Sequence, residues 1–190
     1  MKRKKNIEKK DLSNPIYSID SRPSFDEYFM YLAFAVSVRS DDLFQKIGAV
    51  IVHENSQHIV GTGYNNTIRG MTDKICRPKD RNYRRRFMKH AEDNAIKNCV
   101  VHPLHSNSVF KLYITAKPCL DCLEDVINFG IKHIIYLDRI GTITDSGKTD
   151  KIFEEIEQLY TYKGIRFDKF DINNPWVVKG IELLKNTELN

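Results

Sequence analysis

Residues 110–137 read FKLYITAKPCLDCLEDVINFGIKHIIYL, and this stretch decides the fold. Phe110 to Thr115 and His133 to Leu137 are short apolar runs rich in aromatic and β-branched residues, the composition of strands. Between them Pro118 is suited to open a helix, because the first helical position does not use its N–H. That helix is expected to run to about Asn128, with Gly130 as its stop. Strand, helix and strand in so short a span imply two parallel strands joined by a crossover helix. The alternation continues toward the C-terminus: a helix over Lys151–Tyr160, a strand over Ile165–Phe170, and a last helix over Val177–Leu184 that Pro175 helps to start.

Toward the N-terminus the pattern changes. Ser24-Phe25-Asp26-Glu27 fits a capping box with both acids in the first helical turn. Phe25 to Val38 follows, apolar almost all round, so this helix should be covered on several sides. Ile47–His53 and His58–Gly63 are two β-branched runs joined by Glu54-Asn55-Ser56-Gln57, a hairpin. A long polar and basic stretch, Asn65 to Lys89, contains Pro78, and connections of this length are usually functional. His90 to Cys99 has helical composition. The order predicts an α/β fold whose sheet is mixed because of the hairpin, with helices on both faces. There is no internal repeat.

The chain has 190 residues, enough for one domain at about 150 residues each. Apolar residues are 41% and charged residues 29%, too apolar for a disordered chain. Nine Gly and six Pro exclude collagen-like or linker-dominated classes. Four cysteines are too sparse for a secreted disulfide scaffold and point to intracellular thiols that react, bind metal or pack. The longest apolar run, Tyr28 to Val36, is about half of a membrane span. No apolar signal-peptide core follows the basic start. The expectation is a soluble, cytoplasmic protein: a basic flexible tail at 1–20, and a single domain at 21–190 with a basic loop at 66–89.

Charge is uneven. Lys2, Arg3, Lys4, Lys5, Lys9 and Lys10 against Glu8 carry the whole formal net charge of +5. Arg77 to Lys89 holds a second basic run against Asp80, so the remainder is net acidic. Whole-chain pI is therefore a poor argument for nucleic-acid binding. The first run reads as a solvated tail or a weak phosphate contact, and the second as a phosphate-facing or a solvated loop.

Two short stretches carry chemistry: His90-Ala91-Glu92 and Pro118-Cys119-Leu120-Asp121-Cys122. A catalytic zinc takes three protein ligands and keeps one position for water. His90, Cys119 and Cys122 supply three, and no second Cys-x-x-Cys exists to close a four-ligand structural site. Cys119 and Cys122, three apart, share a helix face in the first turn, where the positive dipole end favours thiolate. His90 and Glu92 are two apart, roughly 200° around a regular helix. They converge only if the metal sits just beyond the helix start. The pattern thus suggests one zinc between two helix N-termini, with Glu92 as a free carboxylate that moves protons. A lone His-x-Glu signals nothing, and a lone Pro-Cys-x-x-Cys is often redox or structural; their conjunction reads as a zinc hydrolase. Cys76, Cys99 and the remaining histidines, His53, His58, His102, His105 and His133, read as packing or surface residues.

His-x-Glu with Pro-Cys-x-x-Cys is the signature of the zinc nucleobase deaminases, and the chain resembles the deoxycytidylate (dCMP) deaminases. The matching stretches are Lys46-Ile47-Gly48-Ala49-Val50-Ile51-Val52, Gly61-Thr62-Gly63-Tyr64-Asn65, His90-Ala91-Glu92-Asp93-Asn94-Ala95-Ile96, Leu112-Tyr113-Ile114-Thr115, Pro118–Cys122 and Gly130-Ile131-Lys132. They run in family order from about Phe29 to Phe170. The resemblance implies a three-layer α/β/α cytidine-deaminase-like fold with a five-stranded mixed sheet. It implies His90, Cys119 and Cys122 as zinc ligands, Glu92 as the proton shuttle, Asn65 on the sugar side of the nucleotide and the Ala91 backbone on the base. Arg39 and Lys46 match basic positions and are candidates for the 5′-phosphate, or else solvated charges. It also implies a homohexamer with allosteric dCTP and dTTP effectors and magnesium on the effector triphosphate. The family's G-Y-N-G-x-P loop is altered here, where Gly63-Tyr64-Asn65 is followed by Asn66-Thr67-Ile68. Asn tolerates left-handed backbone, but losing Pro changes the turn. Asp93 stands where an apolar residue is usual.

Three functions compete. One is an enzyme converting dCMP to dUMP, and also dCTP to dUTP, which supplies precursor for dTMP synthesis. Another is a polynucleotide deaminase acting on tRNA adenosine or single-stranded cytosine, motivated by the basic runs. Against it, similar tRNA deaminases have a much shorter segment than Asn66–Lys89, and only Tyr83 and Phe87 could stack bases there. The third is a non-enzymatic effector-binding relative, which would need no Glu92.

Overall fold

The computed structural model describes residues 22–42, 44–68, 86–103, 108–138 and 148–186. The basic tail, most of the basic run from Arg77, Cys76 and His105 lie outside the described residues.

The chain opens with α1 (Phe25–Ser37). Its capping box is formed: Ser24 N–H donates to Glu27 Oε2 at 2.7 Å, and Glu27 N–H donates to Ser24 Oγ at 3.3 Å. The hairpin follows as β1 (Gly48–His53) and β2 (Ile59–Tyr64), with Gln57 in the turn at φ 56°. Two short strands, β3 (Asn66–Thr67) and β4 (Met88–Lys89), pair antiparallel at the two ends of the long polar connection. Next come α2 (Ala91–Lys97), β5 (Phe110–Ile114), α3 (Leu120–Phe129) and β6 (His133–Leu137). The chain continues with α4 (Lys148–Tyr162), β7 (Arg166–Phe170) and α5 (Pro175–Asn186).

Five strands form one mixed sheet in the order β2-β1-β5-β6-β7. The β1 pairings are antiparallel and the β5-β6-β7 pairings parallel. Side-chain alternation sorts the core into two layers. Ala49, Ile51, Leu112, Ile114, Ile134 and Tyr136 face α2, α3 and α4. Val50, Val52, Tyr113, Ile135 and Leu137 face α1 and α5. The expected three-layer α/β/α arrangement is therefore observed.

Two details near the starts of α2 and α3 differ from the expectation. Pro118 does not open α3; Cys119 is the N-cap, with extended backbone at φ −74°, ψ 167°. Asn66 does not use left-handed backbone, since Gln57 is the non-glycine residue with positive φ among those described. Instead Asn66 is extended and paired with Lys89. Gly130 does stop α3, at φ 104°, where a residue without Cβ avoids the left-handed penalty.

Two glycines set the position of α2. A Cβ built on Gly63 would lie 2.2 Å from Ala91 O and 2.3 Å from Ala95 N, and one on Gly61 would lie 2.7 Å from Ala95 O. Both are on β2, so α2 rests directly on the strand's backbone. Ala91 and Ala95 are fully buried in that contact.

Candidate metal centre

The site lies between the starts of α2 and α3. His90 is the N-cap of α2, extended at φ −80°, ψ 158°. Glu92 is the second residue inside that helix. Cys119 caps α3, and Cys122 sits within its first turn. Neither side chain makes a capping hydrogen bond to its helix; both lie at a shared centre, where Cys119 is hydrogen-bonded to His90 and Cys122. His90 Nδ1 lies 3.1 Å from Cys122 Sγ and 3.5 Å from Cys119 Sγ. One donor atom from each of the three lies within 4.8 Å of the others.

Those distances can be compared with what a cation needs. Tetrahedral zinc with Zn–S of about 2.3 Å and Zn–N of about 2.1 Å sets its donors roughly 3.6 Å apart. The observed separations are close to that, and two thiols with one imidazole are a donor set zinc prefers. The trio fits zinc with a fourth position left for a small ligand. His90 and Cys119 are exposed and Cys122 is buried, so the centre is open on one side.

Electrostatics follow from this crowding. Glu92 is 4% exposed, and burial raises its carboxyl to about 7. His90 rises to about 9, chiefly through its hydrogen bond with Cys119. Cys119 falls to about 4, chiefly through its hydrogen bond with Cys122, with His90 adding to the effect. Cys122 moves well above the ordinary thiol range for the reciprocal reason and because it is buried. The three donors share protons that a bound cation would displace.

The nucleotide-side candidates fall in one neighbouring region. Asn65 is 6% exposed. Its Oδ1 accepts from Ser40 Oγ at 2.7 Å and Ile47 N–H at 2.8 Å, and its Nδ2 donates to Gln45 O at 2.8 Å. The side chain thus ties the segment 40–47 to the end of β2. Arg39 is exposed. Lys46 is half-buried and donates to Val38 O at 3.3 Å. Ala91 is fully buried beside Gly63. Of the basic run, Arg86 and Lys89 are described and exposed, and Lys89 Nζ lies 3.7 Å from Asp93 Oδ2. Asp93 also pairs with Lys97 at 2.7 Å, which accounts for a charge at that position.

Sequence reasoning missed Asn94 and Asn98. Their side chains donate to Tyr64 O at 2.7 Å and Thr62 O at 3.0 Å, and Val100 N–H donates to Val60 O at 3.0 Å. The free edge of β2 is thereby closed by α2 and the residues after it. Their spacing of four, one helix turn, was the available signal.

The family model for the cytidine and deoxycytidylate deaminase zinc-binding region matches residues 23–138. The deoxycytidylate deaminase of Homo sapiens is 30% identical over 157 residues, spanning 80% of this chain and 82% of that protein. The deoxycytidylate deaminase of Saccharomyces cerevisiae is 34% identical over 122 residues, 60% of this chain. The chain spans 38% of that yeast relative's length. A crystal structure of dCMP deaminase from the cyanophage S-TIM5 in complex with dCMP and dUMP superposes with a TM-score of 0.51 at 21% identity. It covers 78% of this chain and 98% of its own; at that identity the likeness is one of fold.

Proposed function

The chain belongs to the cytidine and deoxycytidylate deaminase family, and from that premise we propose that it hydrolyses dCMP to dUMP with release of ammonia. The observation that carries this reading is the convergence of His90, Cys119 and Cys122 donors beside a buried carboxyl, Glu92. His90, Cys119 and Cys122 would hold zinc, which supplies a Lewis-acid centre able to lower the pKa of water to about 7.

Glu92 moves the protons. Its carboxylate oxygen accepts one as water adds to the base and returns it to the ring nitrogen. It then carries the second to the amine, whose C–N bond breaks as the new carbonyl forms. Burial raises its proton affinity, which suits a group that must both take and give a proton near neutrality. The N-termini of α2 and α3 favour negative charge at the centre.

We assign the sugar side of the nucleotide to the corner at Asn65 and the base to the Ala91 backbone. Arg39, beside the segment that Asn65 anchors, and Lys46, within it, are assigned to the 5′-phosphate. Deamination of dCTP and supply of dTMP precursor extend the same reading. A homohexamer, dCTP and dTTP effectors and magnesium on such an effector rest on the resemblance alone. No described helix is long and apolar enough to cross a membrane; a cytoplasmic setting is our reading of the sparse cysteines.

The test is ammonia release from dCMP, dCTP, cytidine and deoxycytidine, assayed separately. Turnover of dCMP is expected. Turnover of nucleosides alone would overturn the phosphate assignment. Tight, salt-sensitive binding of tRNA or single-stranded DNA without mononucleotide turnover would favour the polynucleotide alternative.

A further inference from the structure

We propose that Asn94 is a positioning residue for nucleotide binding, latching the helix that carries Glu92 to the Tyr64–Asn66 corner. The proposal rests on the deaminase reading. Asn94 is half-buried on α2, two residues beyond Glu92. Its Nδ2 spends both protons on oxygens, Tyr64 O at 2.7 Å and Asn66 Oδ1 at 2.9 Å. With two acceptors facing it, the amide can stand in only one orientation.

The corner it grips is the one that holds the segment 40–47. Asn65 binds that segment through Ser40, Gln45 and Ile47. Thr67 N–H donates to Asp41 Oδ1 at 3.1 Å, and its hydroxyl donates to Asp41 Oδ2. The bonds of Asn94 to Tyr64 and Asn66, and those of Asn65 and Thr67 to the segment, are joined through the backbone of residues 64–67, and so connect α2 to the segment that follows Arg39 and contains Lys46.

Asn98 provides the internal comparison. It is one helix turn farther from His90, and its Nδ2 also bonds a β2 carbonyl, Thr62 O at 3.0 Å. It reaches neither Asn66 nor the corner. If Asn94 only closed the strand edge, losing either asparagine would have the same consequence. If it positions the corner, only its loss disturbs the nucleotide.

The experiment compares zinc-loaded Asn94→Ala, Asn66→Ala and Asn98→Ala with the wild type. Readouts are zinc content, the Co(II) absorption spectrum, KM and kcat for dCMP, and dUMP affinity by titration calorimetry. Asn94→Ala is expected to raise KM and the dUMP Kd about tenfold, with one zinc per chain, an unchanged Co(II) spectrum and kcat within about threefold. Asn66→Ala should move both constants the same way by less, and the double variant should add little to Asn94→Ala. Asn98→Ala should lower Tm and leave KM and Kd unchanged. A dUMP Kd for Asn94→Ala within about twofold of wild type, or an equal rise in Asn98→Ala, would overturn the proposal. Should Asn94→Ala not fold, Asn66→Ala decides, and an unchanged Kd there overturns it. If the wild type neither turns over dCMP nor binds dUMP, it is the functional reading that fails. The latch is then judged by hydrogen exchange: faster exchange at residues 40–47 and 64–67 in Asn94→Ala but not in Asn98→Ala supports it, and equal exchange overturns it.

Discussion

Replacing Gly63 by Ala adds a single methyl group on the face of β2 that carries α2. The added carbon would sit 2.2 Å from Ala91 O, 2.3 Å from Ala95 N and 2.8 Å from Asn94 C. All three are backbone atoms of the helix, so no side-chain rotation relieves them. Ordinary contact needs about 3.4 Å, so helix and strand must part by about 1.2 Å. The strand is held by its pairing of Ala49 with Gly63, while the helix begins at the residue after His90. Most of the displacement therefore falls on His90 and Glu92. Metal–ligand distances tolerate about 0.2 Å, and misplacing a reacting group by about 1 Å can cost about 100-fold in rate. We expect Gly63→Ala to fold with a loss of about 1–3 kcal/mol, to retain well under one zinc per chain after dialysis against a weak chelator, and to lose at least about 100-fold in dCMP turnover. Gly61→Ala, at 2.7 Å from Ala95 O and farther along the helix, should show the same losses more weakly. Elemental analysis and ammonia release give both readouts. A folded Gly63→Ala protein with one tightly held zinc and a rate within about threefold of wild type would refute the reasoning.

Glu92→Gln keeps the shape of the side chain and removes its ability to move a proton; zinc content should be unchanged and kcat should fall by about 10²–10⁴, measured as dUMP formation. Gly180→Ala would place a Cβ 2.4 Å from the Phe34 ring, on the sheet face opposite the metal centre; thermal unfolding should show a loss of about 1–3 kcal/mol, with zinc content unchanged. His133 is 3% exposed, and burial holds its pKa below 6.5, helped by Arg166 and Lys111, while Asp168 at 2.6 Å opposes. The unfolded chain therefore takes up a proton near pH 6.5 before the folded chain does, so this contribution to stability is complete above that pH and declines as pH falls toward the folded value. Denaturant unfolding between pH 8 and 5 should be less pH-dependent in His133→Gln, and equal slopes in the two proteins would contradict this.

The legible part of the fold was the part written in apolar periodicity. His133–Leu137 is buried at every position, and the unbroken apolar run Ile134–Leu137, bounded by His133 and Asp138, admits few readings beyond a central strand. The capping box at Ser24 and the stop at Gly130 were legible because each depends on one side chain and its own backbone. Boundaries set by polar residues were not. The last two helices extend beyond the apolar cores read from the sequence, to Lys148–Tyr162 and Pro175–Asn186. Polar residues on an outer face carry no periodic signal. Nor did sequence reveal Gly61 and Gly63 as the bed of α2, since a glycine states its freedom and not its neighbour.

The centre itself was legible for a reason that lies in helix caps. Two residues spaced as His90 and Glu92 would diverge on a helix body. At a start they need not, because the N-cap residue has extended backbone and its side chain leaves the helical register. His90 shows this backbone, and Cys119 repeats it on α3. Each helix thus offers one donor from its cap toward a common point, while a residue inside the first turn, Glu92 or Cys122, stands behind it. The same argument explains why Asn94 escaped notice. It sits within the regular helix, where its N–H donates to His90 O at 3.2 Å, but its side chain turns to the strands and not to the metal motif. Its partners, at the end of β2 and the start of β3, lie some thirty residues earlier, and the glycine-lined approach of β2 brings them within reach.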